Sequence, residues 1–222
     1  MKTLSALFLI FSLSTMKASG KTFVDDFNRP DNKELGNDWS TQVDGTITVE
    51  IVDQEVLISG KQGVDWVRSG LSRIINGGIK IYFDFLAVEN FNVHIRIDDT
   101  STGSYIDIYA WPAGPFSYAN SLDGGWPGWL EIPASTMMAG QYNKLGLEKQ
   151  NADFILYLNE KKIITIKNDK LKNITKVLIA SDAAANTVGS LHIDNVSIED
   201  AQPKAIEPSS KVSILWGELK KI

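Results

Sequence analysis

The chain has 222 residues, 43% of them hydrophobic, and a formal net charge of −5. This hydrophobic share excludes a disordered chain, the mild acidity lacks the footprint of a nucleic-acid binder, and the length suits one large all-β domain. There are no cysteines, which excludes disulfides, thiolate metal sites, a cysteine nucleophile and a lipidated cysteine anchor.

Residues 1–20 read as a secretory signal. Lys2 supplies the positive start, Leu4–Leu13 an apolar run of about ten residues, and Ala18-Ser19-Gly20 a small-x-small cleavage pattern. The run is well short of the roughly twenty residues that cross a bilayer, so a cleaved leader is expected rather than an anchor. Cleavage before Lys21 removes Lys2 and Lys17, taking Lys+Arg from 22 to 20 against 27 Asp+Glu, a charge of −7. The expected location is secreted, extracellular or periplasmic. No other segment is apolar for long enough to form a transmembrane span.

In the mature chain, Thr22–Phe27 is a short strand. Asn28–Leu35 is a polar loop, and Gly36-Asn37-Asp38 turns the chain into Trp39. Thr46–Val52 and Glu55–Ser59 are β-branched runs joined by Asp53-Gln54, a predicted hairpin. Val64–Ile75 holds one or two short strands ended by Asn76-Gly77-Gly78. Three runs follow, Ile79–Val88, Phe91–Asp98 and Tyr105–Trp111, each alternating with period two. Ile81, Phe83, Phe85, then Val93, Ile95, Ile97, then Ile106 and Ile108 make one face, a core wall. The other face carries Tyr82, Asp84, His94, Arg96, Asp107, Tyr109 and Trp111. Read as three consecutive strands, they display rings, carboxylates and cationic donors together, which is the chemistry that holds a polyhydroxylated ligand.

Pro112–Gly140 contains four prolines and is expected to be mostly loop. It also carries Trp126 and Trp129. Tyr142–Lys149, Phe154–Asn159 and Lys162–Lys167 form a predicted meander, and Thr175–Ser181 and Ser190–Glu199 the last two strands. With no 3.6-residue apolar stripe and about twelve strands at short spacing, the pattern is that of a sandwich or barrel. The domain is expected over residues 21–200, followed by a linker over 201–210 and a tail over 211–222.

The run Asp25-Asp26-Phe27-Asn28-Arg29-Pro30-Asp31, then Leu35-Gly36 and Trp39, resembles the opening of secreted domains in the concanavalin A-like lectin/glucanase superfamily, which includes laminin-G-like modules. His192-Ile193-Asp194-Asn195-Val196-Ser197-Ile198 resembles their closing strand. The resemblance implies a jelly-roll sandwich of two curved antiparallel sheets, often with a sugar-binding concave face. It also implies a structural calcium ion tying first and last strands, with Asp25, Asp26 and Asp194 at the matching positions.

A laminarinase-type member would carry Glu-x-Asp-x-x-Glu on one strand. Glu50-Ile51-Val52-Asp53-Gln54-Glu55 departs from that: Glu50 and Asp53 differ by an odd number, and Asp53-Gln54 reads as a turn. No catalytic motif is found, so whether the chain is an enzyme stays open. Only two histidines, His94 and His192, exist, which excludes a multi-histidine zinc site. The aromatics of Tyr109–Leu130 offer a stacking platform for sugar rings, with Trp111, Trp126 and Trp129 as candidates and Trp39 and Trp66 assigned to core or edge.

The expected function is an exported carbohydrate-binding, lectin-like module. It would hold an oligo- or polysaccharide on a face built from Tyr82, Asp84, His94, Arg96, Asp107, Tyr109 and Trp111, bordered by Trp126 and Trp129. The alternatives are a glycoside hydrolase acting on a polysaccharide, marked by converging carboxylates, and an adhesion module for extracellular proteins, marked by an apolar patch.

Overall fold

The computed structural model describes residues 20–112 and 114–203, and these form strands without helix. In chain order they are β1 (Gly20–Asp25), β2 (Ser40–Gln42), β3 (Thr48–Val52), β4 (Glu55–Lys61), β5 (Ser69–Glu89), β6 (Val93–Asp98) and β7 (Tyr105–Ala110). Then follow β8 (Phe116–Ser121), β9 (Leu130–Glu131), β10 (Asn143–Gln150), β11 (Asp153–Leu158), β12 (Lys161–Lys167), β13 (Ile174–Ser181) and β14 (Val188–Pro203). Residues 1–19 of the expected leader, 204–210 of the expected linker and the expected tail over 211–222 lie outside the described residues, while Gly20 opens β1. Ala201–Pro203, expected to open the linker, instead continue β14, where Pro203 pairs with Gly20.

The strands make a sandwich of two antiparallel layers. The front layer runs β2-β5-β13-β6-β7-β8-β9. The back layer runs β12-β11-β10-β5-β14, and β14 pairs onward with β1 along one part and β4 along another, β3 closing the edge. β5 belongs to both. Ser69–Gly78 pairs with β13, and from Lys80 onward the strand pairs with β10 and β14. The glycines expected to end a strand at 76–78 are the bend of one long strand. Gly77 takes φ +79°, and Gly78 still pairs with Ile174 and Asp200, so the chain turns the sandwich edge without breaking its ladder.

This crossing corrects the grouping of the three central runs. Ile79–Val88 lies in the back layer, while β6 pairs with β7 and β13 in the front. Glu89, at φ +59°, and Asn90 carry the chain between layers. Alternation predicts which side chains point inward but not which strand lies alongside. Its inward half holds: Ile81, Phe83, Phe85, Val93, Ile95, Ile97, Ile106 and Ile108 are all buried in one core between the layers. The Asp53-Gln54 hairpin and the Asn159-Glu160 turn both have two consecutive positive-φ residues, the two-residue turn that suits strand twist.

Candidate functional site

The outward face of the front layer carries a cleft at one end of β6, β7 and β13. In β6–β7 register His94 lies opposite Tyr109, and Ala180 of β13 lies on the other side of His94. Two residues further along come Asn92, Trp111 and Asp182, each just beyond its strand. Arg68 stands just before β5. Gly70 and Ala180 are paired in β5–β13 register, and the backbones lie so close there that a Cβ at Gly70 would stand 2.2 Å from the Ile179 oxygen. The cavity holds about 440 Å³.

Its floor is Arg68, Asn92, His94 and Asp182, and its walls are aromatic. On one side Trp66 meets Trp111 edge-on, with ring centroids 6.1 Å apart. On the other, Trp129 stands edge-on to Tyr109 at 4.4 Å and to Trp126 at 5.1 Å. Tyr109 stacks on the His94 ring at 5.4 Å. These covers leave His94 2% exposed, although it sits on the outward face of a sheet.

Beneath the walls is a closed ionic cluster. His94 Nδ1 lies 3.3 Å from Asp107 Oδ1, and Nε2 lies 3.2 Å from Asp182 Oδ2. The Arg68 guanidinium donates through Nη2 to Asp107 Oδ2. Asn92 Nδ2 donates to Asp182 Oδ1 at 2.6 Å, and the Asp182 amide donates to Asn92 Oδ1 at 2.9 Å. Burial would lower the His94 pKa, but the hydrogen bonds and charges of Asp107 and Asp182 hold it above its ordinary value. Burial would raise Asp182, yet His94, Asn92 and Arg68 hold it below the usual carboxylate range.

The Trp66 wall is fixed by its loop. Asp44 Oδ2 accepts from the amides of Gly63 at 2.8 Å and Val64 at 2.6 Å. Buried Gln62 donates to Val64 O at 2.9 Å and Val67 O at 2.6 Å. The Trp66 amide donates to Ala183 O at 2.9 Å. Trp66 itself takes φ +60°, a left-handed conformation that costs a bulky residue energy and persists because these bonds over-determine it.

No family model matches the chain, and none of the curated proteins matches it. Among solved structures, a Bacillus licheniformis β-glucanase superposes with a TM-score of 0.63, covering 82% of this chain and 99% of its own at 12% identity. A sialidase gives 0.63 over 83% of this chain at 13% identity, and there the chain spans only 19% of the sialidase. The carbohydrate-binding module CBM66 of Bacillus subtilis gives 0.50, covering 73% of this chain and 96% of its own at 11% identity. The chain has the concanavalin A-like jelly-roll fold. At these identities the likeness fixes the fold, and the chemistry has to be read from the residues of the cleft.

Within this jelly roll, His94, Tyr109, Trp111, Trp126 and Trp129 line the cleft together. Asp107 is fully buried behind them, holding His94 and Arg68 rather than facing the cavity. Arg96 turns elsewhere on the sheet. It pairs with Asp98 at 2.7 Å, and its guanidinium lies 3.8 Å from the centre of the Tyr105 ring.

Tyr82 and Asp84 are not brought to this face. Both lie outward on the back layer, because their half of β5 has crossed over. Tyr82 lies across Gly146, where a Cβ would stand 2.2 Å from its ring, and donates to Glu148. Burial and Glu148 raise its pKa. Asp84 pairs with Asp194 in register and accepts from Asn195 Nδ2 at 2.9 Å.

Trp66 is corrected from core or edge to a cleft wall, 59% exposed. Arg68, Asn92 and Asp182 complete the floor without having been singled out as candidates. For Arg68 and Asp182 the sequence signal is position, each immediately next to the end of a strand, whereas Asn92 shares the outward parity of His94 and Arg96 in the 91–98 run. Trp39, by contrast, is core.

Of the three aspartates expected to hold calcium, Asp25 is engaged by protein donors. The Asp25 carboxylate accepts from Arg29 at 2.7 and 3.1 Å, Asn37 at 3.1 Å, Trp39 Nε1 at 2.9 Å and the Phe27 amide at 3.0 Å. It is a clasp for the opening loop, and a carboxylate so committed does not fit a cation. Asp26 and Asp194 remain as exposed or half-buried carboxylates. Burial, with Asp84, Glu55 and Asp26 nearby, raises the Asp194 pKa. Among the described residues no group of three or more His, Asp or Glu is placed to hold a metal ion. The Glu50–Glu55 segment lies on the β3–β4 hairpin of the back layer, where Glu55 pairs with His192.

Proposed function

We propose that the chain is a carbohydrate-binding module of an exported protein, and that its ligand enters the cleft between Trp66–Trp111 and Trp129–Trp126. One observation carries this reading: facing aromatic walls set over a polar, charged floor. Pyranose rings have apolar C–H faces that stack on indoles, and their oxygens need hydrogen-bonding partners within the same few ångströms. Solved neighbours of the fold that are named as a glucanase and a carbohydrate-binding module support the reading.

Binding is favoured over glycoside cleavage by the state of the two carboxylates. A general acid needs a raised pKa. Asp182 is held low, and Asp107 is sealed against a guanidinium and an imidazole. A reducing-sugar assay on polysaccharides is expected to show no release. The exposed apolar residues of this region, Trp66 and Trp126 among them, rim a cavity with a charged floor rather than forming the continuous apolar patch of an adhesion module.

The test is glycan-array binding by residues 21–222, repeated with Trp129→Ala. Binding by the native chain and its loss in the variant is expected. No glycan bound, or equal binding by the variant, counts against the cleft.

A further inference from the structure

We infer that the group seated on the cleft floor is an anion, a carboxylate or sulfate ester borne by the saccharide, held by Arg68. The inference rests on the carbohydrate reading above and narrows it. It follows from an inventory of what the floor and walls have left to offer.

Each side-chain acceptor of the floor already receives a protein donor, and the side-chain acceptor left on the walls is the Tyr109 hydroxyl, itself also a donor. Asp107 uses one oxygen for His94 and the other for Arg68. Asp182 uses one for Asn92 and the other for His94. Asn92 Oδ1 receives the Asp182 amide at 2.9 Å and Ser181 Oγ at 3.3 Å.

The donors are not taken. Among the described residues, the indole N–H groups of Trp66, Trp111, Trp126 and Trp129 donate to no protein acceptor, in contrast with that of Trp39, which is bound by Asp25. Of the three guanidinium nitrogens of Arg68, only Nη2 donates a hydrogen bond among the described residues, while buried Nε lies 3.9 Å from Asp182 Oδ2 without one.

A sugar hydroxyl brings a donor for every oxygen it offers, and on this floor that donor finds acceptors already engaged. Leaving buried polar groups unmatched is costly, so a donor-rich site selects a group that only accepts. Carboxylates and sulfate esters are such groups, and a planar guanidinium fork is suited to them. The acidity of the rest of the chain is screened beyond about 8–10 Å at ordinary salt.

The test uses the native full chain and an array of neutral, uronate-bearing and sulfated oligosaccharides. The tightest binder is then titrated calorimetrically beside its own neutralised form, carboxyl-reduced or desulfated. We expect the strongest signals from acidic ligands and at least about tenfold weaker binding after neutralisation, the scale of one charge-assisted contact. The arm that responds, carboxyl or sulfate, identifies the source. Binding confined to neutral glycans, or unchanged by neutralisation, overturns this inference and leaves the saccharide reading standing. Absence of binding to every class removes both.

Discussion

Two outward faces of this sandwich look alike in sequence and differ in what surrounds them. The front face carries His94, Arg96, Asp107 and Tyr109, and the back face carries Tyr82, Asp84, His192 and Asp194. Each mixes aromatic, acidic and basic groups at period two. On the front, the 62–68 loop and the 111–129 segment raise four tryptophans around the strands, and the polar groups beneath sink out of water. On the back, Tyr82, Asp84, His192 and Asp194 stay half-exposed. His192 pairs with Glu55 and Asp84 with Asn195 as half-exposed surface neighbours. A strand face supplies the floor of a site, and it is loops from distant parts of the chain that make that floor a cavity.

The comparison is broken most forcefully through stability. Asp107→Ala leaves Arg68 and His94 to share one buried carboxylate, Asp182, and is expected to cost about 3–5 kcal/mol in denaturant unfolding. Asp84→Ala on the back face is expected to change stability by no more than about 0.5 kcal/mol. Similar losses at the two positions would erase the distinction. In ligand binding, Trp129→Ala is expected to weaken affinity by at least about tenfold, since it removes one ring wall and uncovers Tyr109 and His94. Tyr82→Phe is expected to leave affinity unchanged, as measured by the same titration.

Trp66 sharpens the contrast between what a wall costs and what it does. Trp66→Gly relieves a left-handed aromatic residue, so stability is expected to hold or rise by about 1 kcal/mol while binding falls. A melting curve and a binding curve moving in the same direction would contradict that account.

Smaller effects are read by pH. His94 has a raised pKa in the folded state, so its contribution is fully present below its ordinary value of 6.5 and is lost as pH rises through the folded value. Facing it are Asp107, Asp182 and Arg68. Asp182, with a lowered pKa, contributes above its ordinary value of 3.8 and loses that contribution as pH falls through its folded value. The native chain should therefore lose stability on the alkaline side through His94, and His94→Gln should flatten that limb. On the back face the sign reverses. Asp194 is raised by burial and by neighbouring carboxylates, so Asp194→Asn should raise the melting temperature slightly at neutral pH and leave it unchanged in acid.

Much of the architecture was legible in the chain. Alternation at Val93, Ile95 and Ile97 and at Ile106 and Ile108 marked the inner wall, and Asp53-Gln54 marked its hairpin, because both signals are local. Of the site, His94, Tyr109, Trp111, Trp126 and Trp129 were legible because aromatic crowding near polar strands is visible in one segment. Tyr82 and Asp84 were misplaced because Gly77-Gly78 permits either a turn or a bent continuous strand, and only non-local pairing with β10, β13 and β14 decides which. Arg68 and Asp182, 114 positions apart, meet only because β5 and β13 pair, and no local pattern encodes that meeting.

The central claim is that ligand lies between the tryptophan walls. The most direct measurement follows the indole N–H resonances of the native chain by nuclear magnetic resonance while the tightest glycan from the array is added. The account predicts that Trp66, Trp111, Trp126 and Trp129 shift together and that Trp39, whose indole is held by buried Asp25, stays in place. Saturating binding with those four resonances unmoved would contradict it.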